Sequence, residues 1–167
     1  MAAVAGIRVG DTGIVDYRGM CGALRRLIES RGGEVVFGAK VSEIRREGTD
    51  GLVVVDSVGR DWSCGLLVNC AGLYVDRIAK MTGIAPESGK RPSIVPFRGE
   101  YFELRPEARS LVNHLIYPVP DPSFPFLGVH FTRMVDADEH GHHVECGPNA
   151  VLAFAREGYT KTTVNPG

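Results

Sequence analysis

The sequence has no apolar run of about 18 or more residues, the length a helix needs to cross a bilayer. Its opening Met-Ala-Ala-Val-Ala-Gly is too short and uncharged for a secretory leader. Nothing in the sequence directs export or membrane insertion, so the setting is read as cytoplasmic. Nor is there an excess of charge of either sign. Lys and Arg number 19 against 20 Asp and Glu, a formal net charge of -1 at pH 7, which gives no electrostatic reason to bind nucleic acid or an anionic lipid surface. Cysteine is sparse: Cys21, Cys64, Cys70 and Cys146 contain no C-x-x-C pair. Their apolar neighbours point to buried, reduced thiols serving as small core residues rather than to redox or zinc chemistry.

What is present suits a soluble globular protein: 167 residues, 44% of them hydrophobic, enough to bury a core. Asp16 is a strong N-cap. Behind it Tyr17, Met20, Cys21, Leu24, Leu27 and Ile28 recur at helical spacing until Gly32 and Gly33 stop the run. An amphipathic helix follows, with Arg25, Arg26, Glu29 and Arg31 outside. Residues 34–37 read as a short strand, and 41–46, 52–55 and 60–63 as a three-stranded meander separated by turn residues. The run Gly65-Leu-Leu-Val-Asn-Cys-Ala-Gly72 is apolar without alternation, as in a strand covered on both faces of a parallel α/β sheet. The next helix has Val75, Ile78, Ala79 and Thr82 on one side, Asp76, Arg77 and Lys80 on the other, and Gly83 at its end.

From Pro92 onward Pro, aromatic and β-branched residues dominate, with strands expected at 94–104, 115–117, 128–134 and 144–146. A domain boundary is placed near residues 88–93. The expected architecture is an α/β unit with a β-meander over residues 1–90, then an α+β unit with a mainly antiparallel sheet over 91–167. Pro118-Val-Pro-Asp-Pro-Ser-Phe-Pro125 cannot donate a regular ladder and reads as a rigid loop, either a connector or a substrate lid.

The turn Asn69-Cys70-Ala71-Gly72 puts small residues where backbone can approach a ligand closely, at the carboxyl end of the expected strand. Tight packing of helix on strand is the structural alternative. No G-x-G-x-x-G follows a strand anywhere in the sequence, so the first strand and phosphate-binding helix of a nucleotide fold would have to lie before Met1. Asp136, Asp138, Glu139, His140, His142 and His143 are metal-ligand types. They fall in a Gly-containing polar stretch between two strands, the pattern of an exposed hairpin tip, and no metal is assigned to them.

Six stretches in order, Thr12-Gly-Ile-Val-Asp-Tyr17, Asn69-Cys-Ala-Gly72, Pro96-Phe-Arg-Gly-Glu-Tyr101, Asn113-His-Leu-Ile-Tyr-Pro-Val-Pro-Asp-Pro122, Phe126-Leu-Gly-Val-His-Phe-Thr-Arg133 and Gly147-Pro-Asn-Ala-Val-Leu-Ala-Phe154, together resemble the L-2-hydroxyglutarate dehydrogenase (oxidase) family. That family belongs to the D-amino-acid-oxidase-like flavoproteins. The resemblance implies FAD, a Rossmann-like flavin domain of which residues 1–90 are a part, and an antiparallel substrate domain of which residues 91–167 are a part. It puts the strand at Val41 past the adenine and Asn69, Cys70, Ala71 and Gly72 beside the flavin. Family members begin with a phosphate fingerprint and end with a Gly-rich segment over the flavin, and both are expected outside this sequence.

The implied reaction is oxidation of L-2-hydroxyglutarate to 2-oxoglutarate, with oxygen or a membrane quinone as electron acceptor and peripheral association with the inner membrane as an option for the complete enzyme. It removes a proton from a hydroxyl and a hydride from the adjacent carbon. His130 is the candidate proton acceptor, with a core histidine as the alternative. Arg98 and Arg133 are candidates for holding the carboxylates bidentately, with structural salt bridges as the alternative. By strand alternation Arg133 faces away from His130 unless the strand bulges. Tyr101, Tyr117 and Asn149 are further polar candidates for the substrate pocket. Two other readings are an inert remnant or binding module, and a related flavoenzyme oxidising an amino acid, sarcosine or glycerol 3-phosphate. Without a phosphate loop's backbone N–H groups most FAD affinity is lost, so the 167-residue chain purified alone is expected to be colourless. A stoichiometric yellow flavin spectrum would contradict this.

Overall fold

The computed structural model describes residues 4–49, 51–86, 88–123 and 128–165. Its helices are α1 (Tyr17–Ser30) and α2 (Val75–Met81). Its strands are β1 (Val41–Glu47), β2 (Gly51–Asp56), β3 (Asp61–Cys64), β4 (Phe97–Glu103), β5 (His130–Asp138) and β6 (Gly141–Leu152). They form two small three-stranded sheets, ordered β1-β2-β3 and β4-β6-β5. The chain divides into two compact units, Met1–Gly33 with Gly99–Val151, and Glu34–Arg98 with Leu152–Gly167.

Helix α1 forms where its periodicity predicts because both ends are closed locally. The Asp16 carboxylate accepts the Gly19 N–H at 3.0 Å. Gly33 N–H returns to the Ile28 carbonyl, with Gly32 at φ +81 supplying the left-handed C′ position. Its apolar side is nonetheless exposed, with Leu24 50%, Leu27 46% and Ile28 45% accessible. Cys21 on that helix and Cys70 are exposed and Cys64 and Cys146 only half-buried, all four as free thiols. The expectation of buried core cysteines is therefore corrected.

The β1-β2-β3 meander is antiparallel, with Ile44 opposite Val54 and Leu52 opposite Cys64. Ile44 and Val53 are its buried hydrophobic residues. Buried Asp56 closes the second turn by accepting the Val58 and Arg60 N–H groups and Arg60 Nε, so its carboxylate is fully partnered. Helix α2 packs against β1. Residues 34–37 and 65–71 are not strands. No ladder partner lies beside them among the described residues, and Leu66 and Val68 stay 80% and 73% exposed, so the two-sided cover that a non-alternating strand requires is missing.

In the second sheet β5 and β6 make an antiparallel hairpin, with His130 opposite Gly147, Arg133 opposite Val144 and Asp138 opposite Gly141. The tip therefore falls at 139–140, within the polar stretch read as a hairpin. Strand β6 runs well beyond the expected 144–146, and the expected strand at 115–117 reduces to one bridge, Ile116 with Phe131. Pro118 explains the brevity, since it has no N–H with which to extend the ladder. Arg109, 8% exposed in the 3-10 turn Pro106–Leu111, donates to Glu103 on β4 at 2.8 Å and to Asp138 on β5 at 2.7 Å. It ties the turn to both strands.

Gly147 admits no side chain. A Cβ there would lie 2.7 Å from Tyr101 Cδ1 and 2.9 Å from the Glu100 carbonyl oxygen. Gly147→Ala is expected to destabilise the fold by about 1–3 kcal/mol through overpacking. Gly22→Ala, inside α1 with only Arg26 Nη1 at 3.6 Å, is expected to add about 0.5–1 kcal/mol. Urea midpoints of the two variants moving in the same direction would refute this contrast.

Candidate active site

One face of the second sheet gathers three of the residues singled out from the sequence. Directly opposed residues of an antiparallel pair share a face, so His130 lies on the face of Gly147, whose missing side chain leaves that place to the Tyr101 ring. The Ile116–Phe131 bridge then sets Tyr117 opposite His130. The two rings stack with centroids 4.3 Å apart and planes 15° from parallel. His130 is 8% exposed, and its Nδ1 is 3.0 Å from the Gly128 carbonyl oxygen. A buried imidazole stacked on a tyrosine ring can exchange a proton with a hydroxylated ligand.

Arg133 stays on the opposite face. Pairing is continuous from His130 to Arg133 and the register shifts only beyond it, so no bulge turns its side chain toward His130. Among the described residues its guanidinium has no ion-pair partner. Asn149 is exposed on β6. Near the tip, His143 contacts Glu103 and Asp138, which Arg109 also binds. Among the described residues no group of three or more His, Cys, Asp or Glu is arranged to hold a metal.

The other unit carries the Asn69–Gly72 turn. Asn69 Oδ1 accepts the Ala71 N–H at 3.2 Å, and Nδ2 donates to the Val75 carbonyl at 2.8 Å. This one side chain holds the turn against the start of α2. Gly72 has φ +53 with open space where a Cβ would stand, so a flat ligand has room to approach the backbone. The turn is therefore compatible with a flavin nearby. Val41 is half-buried at the start of β1.

A second layer behind the turn was not visible in the sequence. Asp76, read as part of the solvent side of its helix, is only half-buried because Arg156 reaches it with both terminal nitrogens, at 2.7 and 2.9 Å. Arg156 also donates to the Leu73 carbonyl and lies 5.8 Å from the Tyr74 ring centroid. The Ile94 N–H adds a third donor to Asp76. The Arg156 hydrogen bonds, then the Ile94 N–H, lower the Asp76 pKa to about 2. Glu157 is likewise held below its usual range by the Tyr159 and Tyr74 hydroxyls. Arg98 Nη1 donates to the carbonyls of Gly158 and Thr160 at 3.1 and 3.0 Å. Segment 152–160 is thus anchored by Arg98 at one place and joined to the turn by Arg156 at another. An acidic residue in a helix's first turn was the available signal, but its partner 80 residues away was not.

The FAD dependent oxidoreductase (DAO) family model matches residues 2–166. The chain belongs to the FAD-dependent oxidoreductase family. It is 48% identical over 158 residues to L-2-hydroxyglutarate dehydrogenase of Escherichia coli K12, covering 95% of this chain and 35% of that protein. The enzyme of the same name from Indibacter alkaliphilus is 46% identical over 164 residues, covering 98% and 39%. The human mitochondrial L-2-hydroxyglutarate dehydrogenase is 45% identical over 158 residues, covering 89% and 32%. The chain thus spans about a third of the length of these relatives. FAD is the cofactor of this flavoprotein family. Among the described residues no helix is long and apolar enough to cross a membrane.

The Asp76 carboxylate binds protons less tightly folded than unfolded, so its pairing stabilises above the unfolded pKa of 3.8 and is lost as pH falls toward about 2. Asp76→Asn should therefore lower the denaturation midpoint at neutral pH and converge with the parent protein below about pH 3. A difference that does not shrink on acidification would show that the charge is not what the pair contributes.

Proposed function

We propose that the complete protein carrying this chain oxidises L-2-hydroxyglutarate to 2-oxoglutarate using FAD, with oxygen or a membrane quinone taking the electrons. The observation that carries the reading is the identity of 45–48% across nearly the whole chain with proteins bearing that activity in their names. The sheet-face geometry supports it by offering a buried base stacked on an aromatic ring. In this reading residues 1–90 contribute to the flavin domain and 91–167 to the substrate domain.

His130 takes the hydroxyl proton of the substrate, while Tyr101 and Tyr117 border the carbon chain. FAD, when bound, supplies the hydride acceptor. Asn69, Cys70, Ala71 and Gly72 present the turn that would lie beside it, and Val41 starts the strand assigned to its adenine end. Arg98, whose Nη1 donates to two backbone carbonyls, is assigned with Arg133 to the substrate carboxylates. Arg133 faces away from His130 and would need to act from another surface. Asn149 retains a peripheral polar role.

The test is turnover by the complete protein of L-2-hydroxyglutarate against amino acids, sarcosine and glycerol 3-phosphate. The 2-hydroxy acid should be preferred, and His130→Gln should lower kcat by about 10²–10⁴-fold with FAD content retained. Absence of 2-hydroxyglutarate oxidation would remove the proposal, and preference for another substrate would move the protein to a sister activity.

A further inference from the structure

We propose that Tyr117 and the Gly128 carbonyl together lock the His130 imidazole in its Nδ1–H tautomer, leaving Nε2 as the atom that accepts the substrate's proton. This deepens the reading of His130 as the base and rests on it. Tyr117 is then a positioning residue acting through His130.

A carbonyl oxygen only accepts, so the 3.0 Å contact requires that Nδ1 carry hydrogen. A neutral imidazole has one N–H, and the other nitrogen presents a lone pair. Among the described residues Nε2 has no hydrogen-bond partner, so that lone pair is not consumed by the fold. Rotating the ring by half a turn would put a carbon against the Gly128 carbonyl and forfeit the bond. The near-parallel Tyr117 ring also blocks the intermediate orientations, in which the imidazole would stand upright into it.

The backbone supports both partners. Ile116 and Phe131 exchange N–H···O bonds of 3.0 and 2.9 Å, which fixes Tyr117 across from His130. Gly128 lies so close to Pro118 that a Cβ would come within 2.9 Å of Pro118 Cγ. The residue after Tyr117 therefore packs on the residue whose carbonyl holds the imidazole, and the two constraints reinforce one another. In the oxidation step the substrate O–H bond breaks and its proton passes to Nε2. The oxygen's electron pair forms the C=O bond as the hydrogen on the same carbon departs with its bonding pair, for which FAD, when bound, would supply the acceptor.

The tautomer can be read without turnover, from the ring ¹⁵N resonances of histidine-labelled protein, with His130 assigned by their loss in His130→Gln. A protonated, pyrrole-type Nδ1 and an unprotonated, pyridine-type Nε2 are expected. Tyr117→Phe should leave this ¹⁵N pattern unchanged, because the ring is what positions. Tyr117→Leu and Gly128→Ala should each admit the second tautomer and lower kcat of the complete enzyme roughly 10-fold to 100-fold, with KM changed far less. An Nε2–H tautomer in the parent protein overturns the proposal even if no variant folds. Loss of the Nδ1–H pattern in Tyr117→Phe also overturns it, since the hydroxyl and not the stacked ring would then be holding the imidazole. If His130→Gln leaves turnover intact while the Nδ1–H pattern is present, the assignment of His130 as base fails although the ring is locked.

Discussion

The close approach of strands at Gly147 governs what the second sheet can present. Because β4 brings Glu100 and Tyr101 to within contact of a position that holds only hydrogen, the space a side chain would fill belongs to an aromatic ring from the neighbouring strand. His130, paired to that same glycine on the other side, has no side chain opposite it on β6 and stacks instead on the Tyr117 ring. The register of β5 on β6 thus decides at once which side chain is buried, which face it occupies and what surrounds it. A slip of one residue would exchange His130 for Phe131 on this face and abolish the arrangement.

In the other unit the organising element is electrostatic. Asn69 shapes the turn with neutral hydrogen bonds, and Arg156 fixes the helix start beneath it through Asp76. A bidentate guanidinium–carboxylate contact carries direction as well as attraction, so it constrains the helix start in a way a single hydrogen bond does not. Arg98 does the same for segment 152–160 by binding backbone oxygens. Two arginines therefore hold one stretch of chain, Arg98 by binding its carbonyls and Arg156 by reaching out from it to Asp76.

Much of this was legible in the sequence where the signal is local. The Asp16 cap and the Gly32-Gly33 stop delimit α1, the turn residues delimit the meander, and the Gly-containing polar stretch marks the β5–β6 tip. What escaped was whatever depends on partners distant in sequence. The run 65–72 has the composition of a doubly covered strand, but composition does not supply neighbours to pair with. Asp76 looked like a solvent residue because its partner lies 80 positions on. Arg109 lacked any local mark, since Glu103 and Asp138 become its partners only when β4, β6 and β5 align. Of the proposed site residues, Tyr101, Tyr117 and His130 came together through strand alternation and one bridge. The same alternation separated Arg133 from them.

The Arg109 clamp bears on the motion of this face. Its bond to Asp138 joins residues 29 apart in sequence, a loop closure costing about 3 kcal/mol in chain entropy. The Ile116–Phe131 bridge closes the same segment a second time, seven residues further along. Residues 110–116 are therefore stapled at both ends before any ligand arrives. The disorder they give up is settled during folding, and a molecule reaching this face meets a surface that no longer has to be quieted.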